Sequence, residues 1–246
     1  MNGSALDIGG SRARLYDFEG GVVISSAELW LPQRLEEEPD LEWGRRRVAA
    51  IAHFVGQHRE GGTLPTSCAG RKDEARRSVT LSFYGSPLPG LVDTVEAVCG
   101  VRLGELYDDD VCAGWGHLAS PRGALSQDSP NSLLLTAGTG LAECLWADGA
   151  FVPKGSYPRA AEFGLEEPLR AETWRGGALP LAALQQLLER RRETVPIASL
   201  LLSGRFAAPE LDWPNCLRDG TPLTAVDLEE APALGALALA SSFGKA

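Results

Sequence analysis

Three consecutive carboxylates, Asp108-Asp109-Asp110, stand where an apolar run gives way to a helical stretch. One carboxylate at a helix start can cap orphan backbone N–H groups. A neighbour turned into a cleft can accept the proton of an attacking hydroxyl, a role open to Asp109 or Asp110. Two glycine turns flank this element in sequence, Gly9-Gly10-Ser11 and Gly138-Thr139-Gly140. Glycine lacks a Cβ and tolerates φ > 0, so such turns can bring backbone N–H groups against an anion. Together they can grip the phosphates of one nucleotide from both sides, with Asp7 placed to hold Mg²⁺ through water. Each turn alone also reads as a plain β-hairpin, and the acid run as a solvated cap; the combination with Asp7 favours nucleotide binding. No G-x-x-x-x-G-K-[ST] or G-x-G-x-x-G is present, so P-loop and Rossmann chemistry lack their fingerprints.

The elements that must position these groups are legible from periodicity. Ala5 to Phe18 reads as strand, glycine turn and strand, and Glu19-Gly20-Gly21 turns it into a third strand, Val22-Val23-Ile24. An acidic loop over Pro32 to Asp40 precedes a helix from Trp43 to His58, whose Val48, Ile51, Ala52 and Val55 keep helical spacing. Thr66 to Gly70 reads as a short buried strand ending in a turn, and Leu91 to Cys99 as a helix capped by Gly100. Val101 to Tyr107 predicts a strand, and the acid run opens a helix reaching Leu118. Ser132 to Thr136 and Leu141 to Ala147 are strands around the second glycine turn, with Asp148-Gly149 as a hairpin. Helices follow over Leu179–Glu193 and Ala231–Ser242, with a strand at Leu200 to Leu202 between them. Strand, glycine turn, strand, hairpin thus occurs at Leu6–Ile24 and again at Leu133–Phe151, which predicts two related α/β lobes facing a cleft.

Composition excludes much else. Hydrophobic residues at 44% and charged residues at 23% are globular proportions, not those of a disordered or fibrous chain. A formal charge of −10 disfavours nucleic acid and anionic membranes as partners. No window approaches the roughly 18 consecutive apolar residues of a spanning helix, and MNGSALDIGG carries no signal-peptide pattern, so a cytoplasmic protein is expected. Five scattered Cys form no C-x-x-C, and three His form no metal-binding pair; reduced, packed thiols are expected. Arg45-Arg46-Arg47 and Arg190-Arg191-Arg192 read as solvated helix faces, His117 as a surface or satisfied histidine, and Trp115, Cys112 and Cys144 as packing residues.

The ordered set of motifs resembles the ROK sugar kinases and repressors, a branch of the actin-like ATPase and sugar kinase superfamily. Leu6-Asp7-Ile8-Gly9-Gly10-Ser11-Arg12 is similar to its first phosphate motif, D-I-G-G-T-K, and Leu134 to Leu141 with Asp148-Gly149 to its second. Asp108 to Gly116 resembles the helix N-D-A-N-A-A-A-L-G that bears the base, Ala161 to Gly164 the G-E-x-G-H sugar motif, Leu201 to Phe206 the adenosine motif, and Ala233 to Ala236 the closing helix.

The resemblance implies a two-lobed α/β, actin-like (ribonuclease H-like) fold with an interlobe cleft. Its lobes would be residues 1–108 plus 231–246 and residues 109–230. It implies ATP and Mg²⁺ as cofactors, with Asp7 toward the metal, and Gly9, Gly10, Ser11, Gly138, Thr139 and Gly140 on phosphate. Gly204 would pass close to adenosine, and Asp108 and Glu162 would meet sugar hydroxyls. Aligning Ala113 and Gly116 with the family's small residues selects Asp109 as base, whereas the D-x-x-A-A-hydrophobic form of related kinases selects Asp110. The expected activity is transfer of the γ-phosphoryl group to a hydroxyl of a small sugar-like metabolite, in a chain that can form a homodimer. The alternative is a catalytically inactive nucleotide- or sugar-binding sensor. Leu165 stands where the family motif has His, and the family's C-x-C-G-x-x-G-C is missing, so no structural zinc is expected. No helix-turn-helix precedes the first motif, which argues against a repressor.

Overall fold

The computed structural model describes residues 1–81, 87–138, 140–170 and 179–243. The chain builds two five-stranded mixed sheets of the same design. In the first, β1 (Gly3–Ile8), β2 (Arg12–Glu19) and β3 (Val22–Trp30) form an antiparallel meander. Parallel strands β4 (Thr66–Cys68) and β7 (Leu106–Asp108) extend it beyond β1, giving the order β3-β2-β1-β4-β7. In the second, β8 (Ser132–Ala137), β9 (Leu141–Ala147) and β10 (Ala150–Phe151) make the meander, and β11 (Ser199–Gly204) and β12 (Leu223–Ala225) lie parallel beyond β8. A small ribbon, β5 (Arg71–Lys72) with β6 (Val79–Leu81), stands apart from both. The duplicated strand–turn–strand unit expected from sequence is therefore present in each sheet.

Each sheet has its own core. Leu6, Ile8 and Leu15 pack under helices α1 (Asp40–His58) and α2 (Leu91–Cys99), against Ile51, Val55, Leu91 and Val95. In the second sheet Leu133, Leu135, Leu200 and Leu202 pack with Leu169 of the short helix α4 (Glu166–Leu169) and with α5 (Leu181–Arg192), while Leu134 and Leu201 face the opposite way, toward Ala113. Burial on both faces explains why these strands read as unbroken apolar runs. A fully buried leucine contributes roughly 1.5–3 kcal/mol. The strand expected over Val101 to Tyr107 is shorter than that, because Gly104 at φ 67° breaks the extended backbone just before β7. Helix α1 begins at Asp40, with Asp40 and Glu42 in the first turn favouring its positive end.

Two helices join the halves. Helix α3 (Asp109–Ala119) packs on β9, and α6 (Ala231–Phe243) packs on β1 and β4, where Ala233, Leu234 and Leu237 close over Ala5, Tyr16 and Phe18. The two helices cross at reciprocal glycines. A Cβ on Gly116 would fall 1.9 Å from the Ala231 carbonyl oxygen, and one on Gly235 would fall 1.8 Å from that of Cys112. The backbones touch there because neither glycine carries a side chain, and α3 is thereby fixed with its acidic start toward the gap between the sheets. No helix among the described residues is long and apolar enough to cross a membrane.

Candidate active site

A cavity of about 770 Å³ opens between the two sheets. From the first half it is lined by Asp7, Gly9 and Gly10, from the second by Gly138, Gly140 and Glu143, and at its base by Asp108, Asp109 and Asp110. The two glycine turns and the acid run, separated by about a hundred and thirty residues at the extremes, thus share one wall-to-wall space. The turns are closed by Gly9 N–H donating to the Arg12 carbonyl at 2.8 Å and Gly138 N–H to that of Gly140 at 2.9 Å. Positive φ is not what requires glycine here: Gly9, Gly10 and Gly138 all have negative φ. A Cβ on Gly138 would meet nothing within 4 Å, so its absence leaves room at the cleft wall and not inside the fold.

The three carboxylates differ sharply in their partners. Asp108 does not cap α3 as expected; its Oδ1 accepts from Lys72 Nζ at 2.8 Å and its Oδ2 from Arg76 Nη2 at 3.1 Å. Asp110, 3% exposed, accepts from Lys154 Nζ at 2.9 Å, from Arg159 Nη1 at 3.0 Å and from the Val111 N–H at 2.8 Å. Asp109 between them has no hydrogen bond or ion pair to a described residue. Burial, then the negative charges of Asp110 and Asp7, push its carboxyl up to about 6 against the pull of Lys72 and Lys154. Burial also opposes the charge of Asp108, but Lys72, Lys154 and Arg76 hold it below its usual range. A carboxyl poised near neutrality and not masked by a cation is the group suited to take a proton.

Behind the acids runs a chain of ion pairs. Arg159 Nε reaches Glu143 Oε1 at 3.3 Å, and the other Glu143 oxygen pairs with Arg191, itself stacked on Tyr157 with its guanidinium carbon 4.7 Å from the ring centre. Asp7, 4% exposed, is paired with Arg14 at 2.9 Å across the β1–β2 ladder, in which the two residues lie opposite each other. Burial still raises the Asp7 carboxyl despite Arg14. No group of three or more His, Cys, Asp or Glu among the described residues can cage a metal. Mg²⁺ keeps several waters and takes one or two carboxylates with substrate phosphates. The donor set therefore fits it through the Asp7 oxygen that Arg14 leaves over.

The remaining residues proposed from sequence are placed unevenly. Ser11 and Gly204 do not line the cavity, and Thr139 falls outside the described residues. Gly204 ends β11 at φ 65°, and a Cβ there would sit 2.4 Å from the Ala137 carbonyl oxygen, so it serves close strand packing beneath the second turn. Glu162 is exposed and does not line the cavity; it accepts the Arg159 backbone N–H at 2.7 Å in a capping box. Leu165 is buried in the second core. His117 is fully buried, bonded to Ser203 Oγ at 3.2 Å, and burial lowers its pKa to about 4. Cys68 is pushed up to about 12 by burial, and Cys112 and Cys144 are raised likewise, which leaves packing as their role.

Contrary to what their sequence suggests, the two basic runs are not wholly solvated, because each buries one arginine. Arg47 is buried, bonds the Gly10 carbonyl oxygen and lines the cavity, and Arg191 is buried in the ion-pair chain; neither belongs to a solvated face. Helical phase carries the signal, because Arg47 falls four residues after Trp43 and four before Ile51, and Arg191 follows Leu184, Leu187 and Leu188 on the buried face. Nothing in the sequence marks Lys72, Arg76, Lys154 and Arg159, for Lys72 ends the two-residue strand β5 and the other three sit in irregular segments without periodicity.

No protein-family model matches the sequence, and no curated protein matches it. Solved structures do. An inorganic polyphosphate/ATP-glucomannokinase from Arthrobacter sp. strain KM superposes with a TM-score of 0.73 at 18% identity, over 98% of each chain. The fold is that of the ROK sugar kinases. A ROK family glucokinase from Streptomyces griseus, solved with glucose and AMPPNP, matches at 0.64 and 16% identity, over 98% of this chain and all of that one. A ROK family transcriptional regulator, homologous to the E. coli MLC protein, matches at 0.58 and 15% identity, over 97% of this chain and 78% of that one. The two-lobed, actin-like α/β architecture expected from the motifs is thus present along the whole ROK fold.

Proposed function

We propose that this chain transfers the γ-phosphoryl group of ATP·Mg²⁺ to a hydroxyl of a small sugar-like metabolite. The observation that carries the reading is Asp109. It lines the cavity with the two glycine turns, unpaired and held near neutrality, while its neighbour Asp108 is held by three cations and Asp110 by two. In this reading the Gly9-Gly10 and Gly138–Gly140 backbones bind the phosphates from opposite lobes, residues 1–108 with 231–246 and residues 109–230. Asp109 takes the hydroxyl proton as the new P–O bond forms, and Lys72 and Lys154 stabilise the charge gathering beside it. When bound through Asp7, Mg²⁺ supplies charge neutralisation on the phosphates. The glucokinase and glucomannokinase likenesses support a sugar as acceptor and ATP as donor.

The test is transfer of labelled γ-phosphate to a pooled panel of sugars, sugar acids and polyols. Asp109→Asn is expected to lose about 10²–10⁴ in turnover while keeping nucleotide affinity. Full turnover in that variant would refute the assignment. A sensor without chemistry is the second reading, favoured by the absence of Glu162 from the cavity lining and by the regulator among the structural relatives. Tight nucleotide or sugar binding with no ADP formed would select it.

A further inference from the structure

Lys72 lines the cavity beside the acids, yet it has no donor left for a ligand. Its side chain is 3% exposed, and its ammonium donates to the Cys68 carbonyl, to the Gly70 carbonyl at 2.9 Å and to Asp108 Oδ1 at 2.8 Å. An ammonium carries three N–H groups, so all are spent. The acceptors gather at one end of two neighbouring strands: Cys68 closes β4, Asp108 closes β7, and the two residues are partners in the parallel ladder. Arg76, in the turn between β5 and β6, completes the grip. Its backbone carbonyl accepts the Leu106 N–H at 2.9 Å, its Nε donates to the Leu106 carbonyl at 2.8 Å, and its Nη2 donates to Asp108 Oδ2 at 3.1 Å. Arg76 makes these bonds at φ 54°, a left-handed state that a residue with a Cβ keeps only where its surroundings hold it there.

Asp109 is the next residue after this clasp. The charged groups that face it are Asp7 from β1, Asp110 from α3, Lys72 from β5 and Lys154 from the segment after β10. The Cys68 and Cys112 thiols also lie close, and burial keeps both neutral. Lys154 is 47% exposed and screened by solvent, whereas Lys72 is buried with the acids. We propose that Lys72 is a positioning residue for the reaction: by clasping the ends of β4 and β7 and binding Asp108, it fixes Asp109 at the cavity as the carboxylate that takes the proton. The inference rests on the phosphotransferase reading above. Without Lys72, Asp109 is left among Asp7, Asp108 and Asp110, and it holds its proton more tightly. Asparagine at position 108 still offers Lys72 an acceptor but uncovers the charge of the ammonium, so Asp109 releases its proton more readily. The two changes therefore move Asp109 in opposite directions, which a loss of packing does not do.

The experiment follows the Asp109 carboxyl by carbon-13 NMR in the ligand-free protein, assigned against Asp109→Asn. Phosphate transfer from ATP·Mg²⁺ is measured alongside as a function of pH. Lys72→Met is expected to raise the Asp109 midpoint by about 1 pH unit or more, and Asp108→Asn to lower it. The kcat/KM of Lys72→Met should then fall about fivefold at pH 6 and recover as the pH is raised, with KM for ATP unmoved. If Lys72→Met does not fold, Asp108→Asn carries the test alone, and a midpoint that stays or rises in it would overturn the proposal. Midpoints unmoved, or moved the same way in both folded variants, would likewise overturn it and leave the kinase reading standing. Midpoints that part as expected in a protein that transfers no phosphate would leave Lys72 in control of Asp109 and remove the kinase reading.

Discussion

Asp109 and Asp110 are adjacent, yet replacing each by asparagine should move stability in opposite directions. The Asp109 carboxyl is raised from 3.8 to about 6, so the folded protein holds its charged form at a disadvantage. At about 1.4 kcal/mol per unit the penalty above pH 6 is about 3 kcal/mol. Partial exposure and solvent screening reduce it to about 1–2 kcal/mol. Asp109→Asn removes the charge and with it the penalty, and should raise Tm by about 2–8 °C for a chain of this size. The sign follows from linkage: the folded state binds the proton more tightly, so wild-type stability falls as pH rises between the unfolded and folded values. The gain in the variant is therefore absent below about pH 4, grows toward pH 6 and is complete above it. Asp110→Asn instead strips the counter-charge from Arg159 and Lys154 and should lower stability by about 2 kcal/mol. Thermal melts at pH 4 and pH 7.5, run beside phosphate-transfer assays, read all of this. A loss of stability in Asp109→Asn at pH 7.5, or a pH-independent change, would refute the electrostatic account. Turnover lost in Asp110→Asn but kept in Asp109→Asn would refute the choice of base.

On the proposed phosphotransfer, kcat/KM of the wild-type protein should rise with pH through about 6 and then level, as Asp109 gives up its proton; a profile flat from pH 5 to 8 would exclude it as the titrating base. Gly138→Val should melt like wild type, since its Cβ enters open space, and lose nucleotide affinity in calorimetry. Gly235→Ala should lower stability by at least about 2 kcal/mol in urea titration, because the new methyl meets the Cys112 carbonyl oxygen at the α3–α6 crossing. Arg191→Leu should lower stability by about 1–3 kcal/mol in urea titration, because Glu143 Oε2 loses its partner while Oε1 keeps Arg159 and the Ala160 N–H.

Sequence alone carried the repeated strand–turn–strand units, most helix positions and the two glycine turns, because these depend on local periodicity and on glycine. The β1–β2 turn also fixes the Asp7–Arg14 pairing, since antiparallel register counts outward from it. The buried arginines were within reach of helical phase. Which of Asp109 and Asp110 is left without a cation was not. It depends on Lys72 and Arg76 from the first half and on Lys154 and Arg159 from the second, brought to the start of one helix from segments far apart in the chain. Local sequence decided that three carboxylates open α3. The tertiary structure decided which of them was left unpaired, because the energy of a charge depends on the charges and the solvent around it and not on its neighbours along the chain.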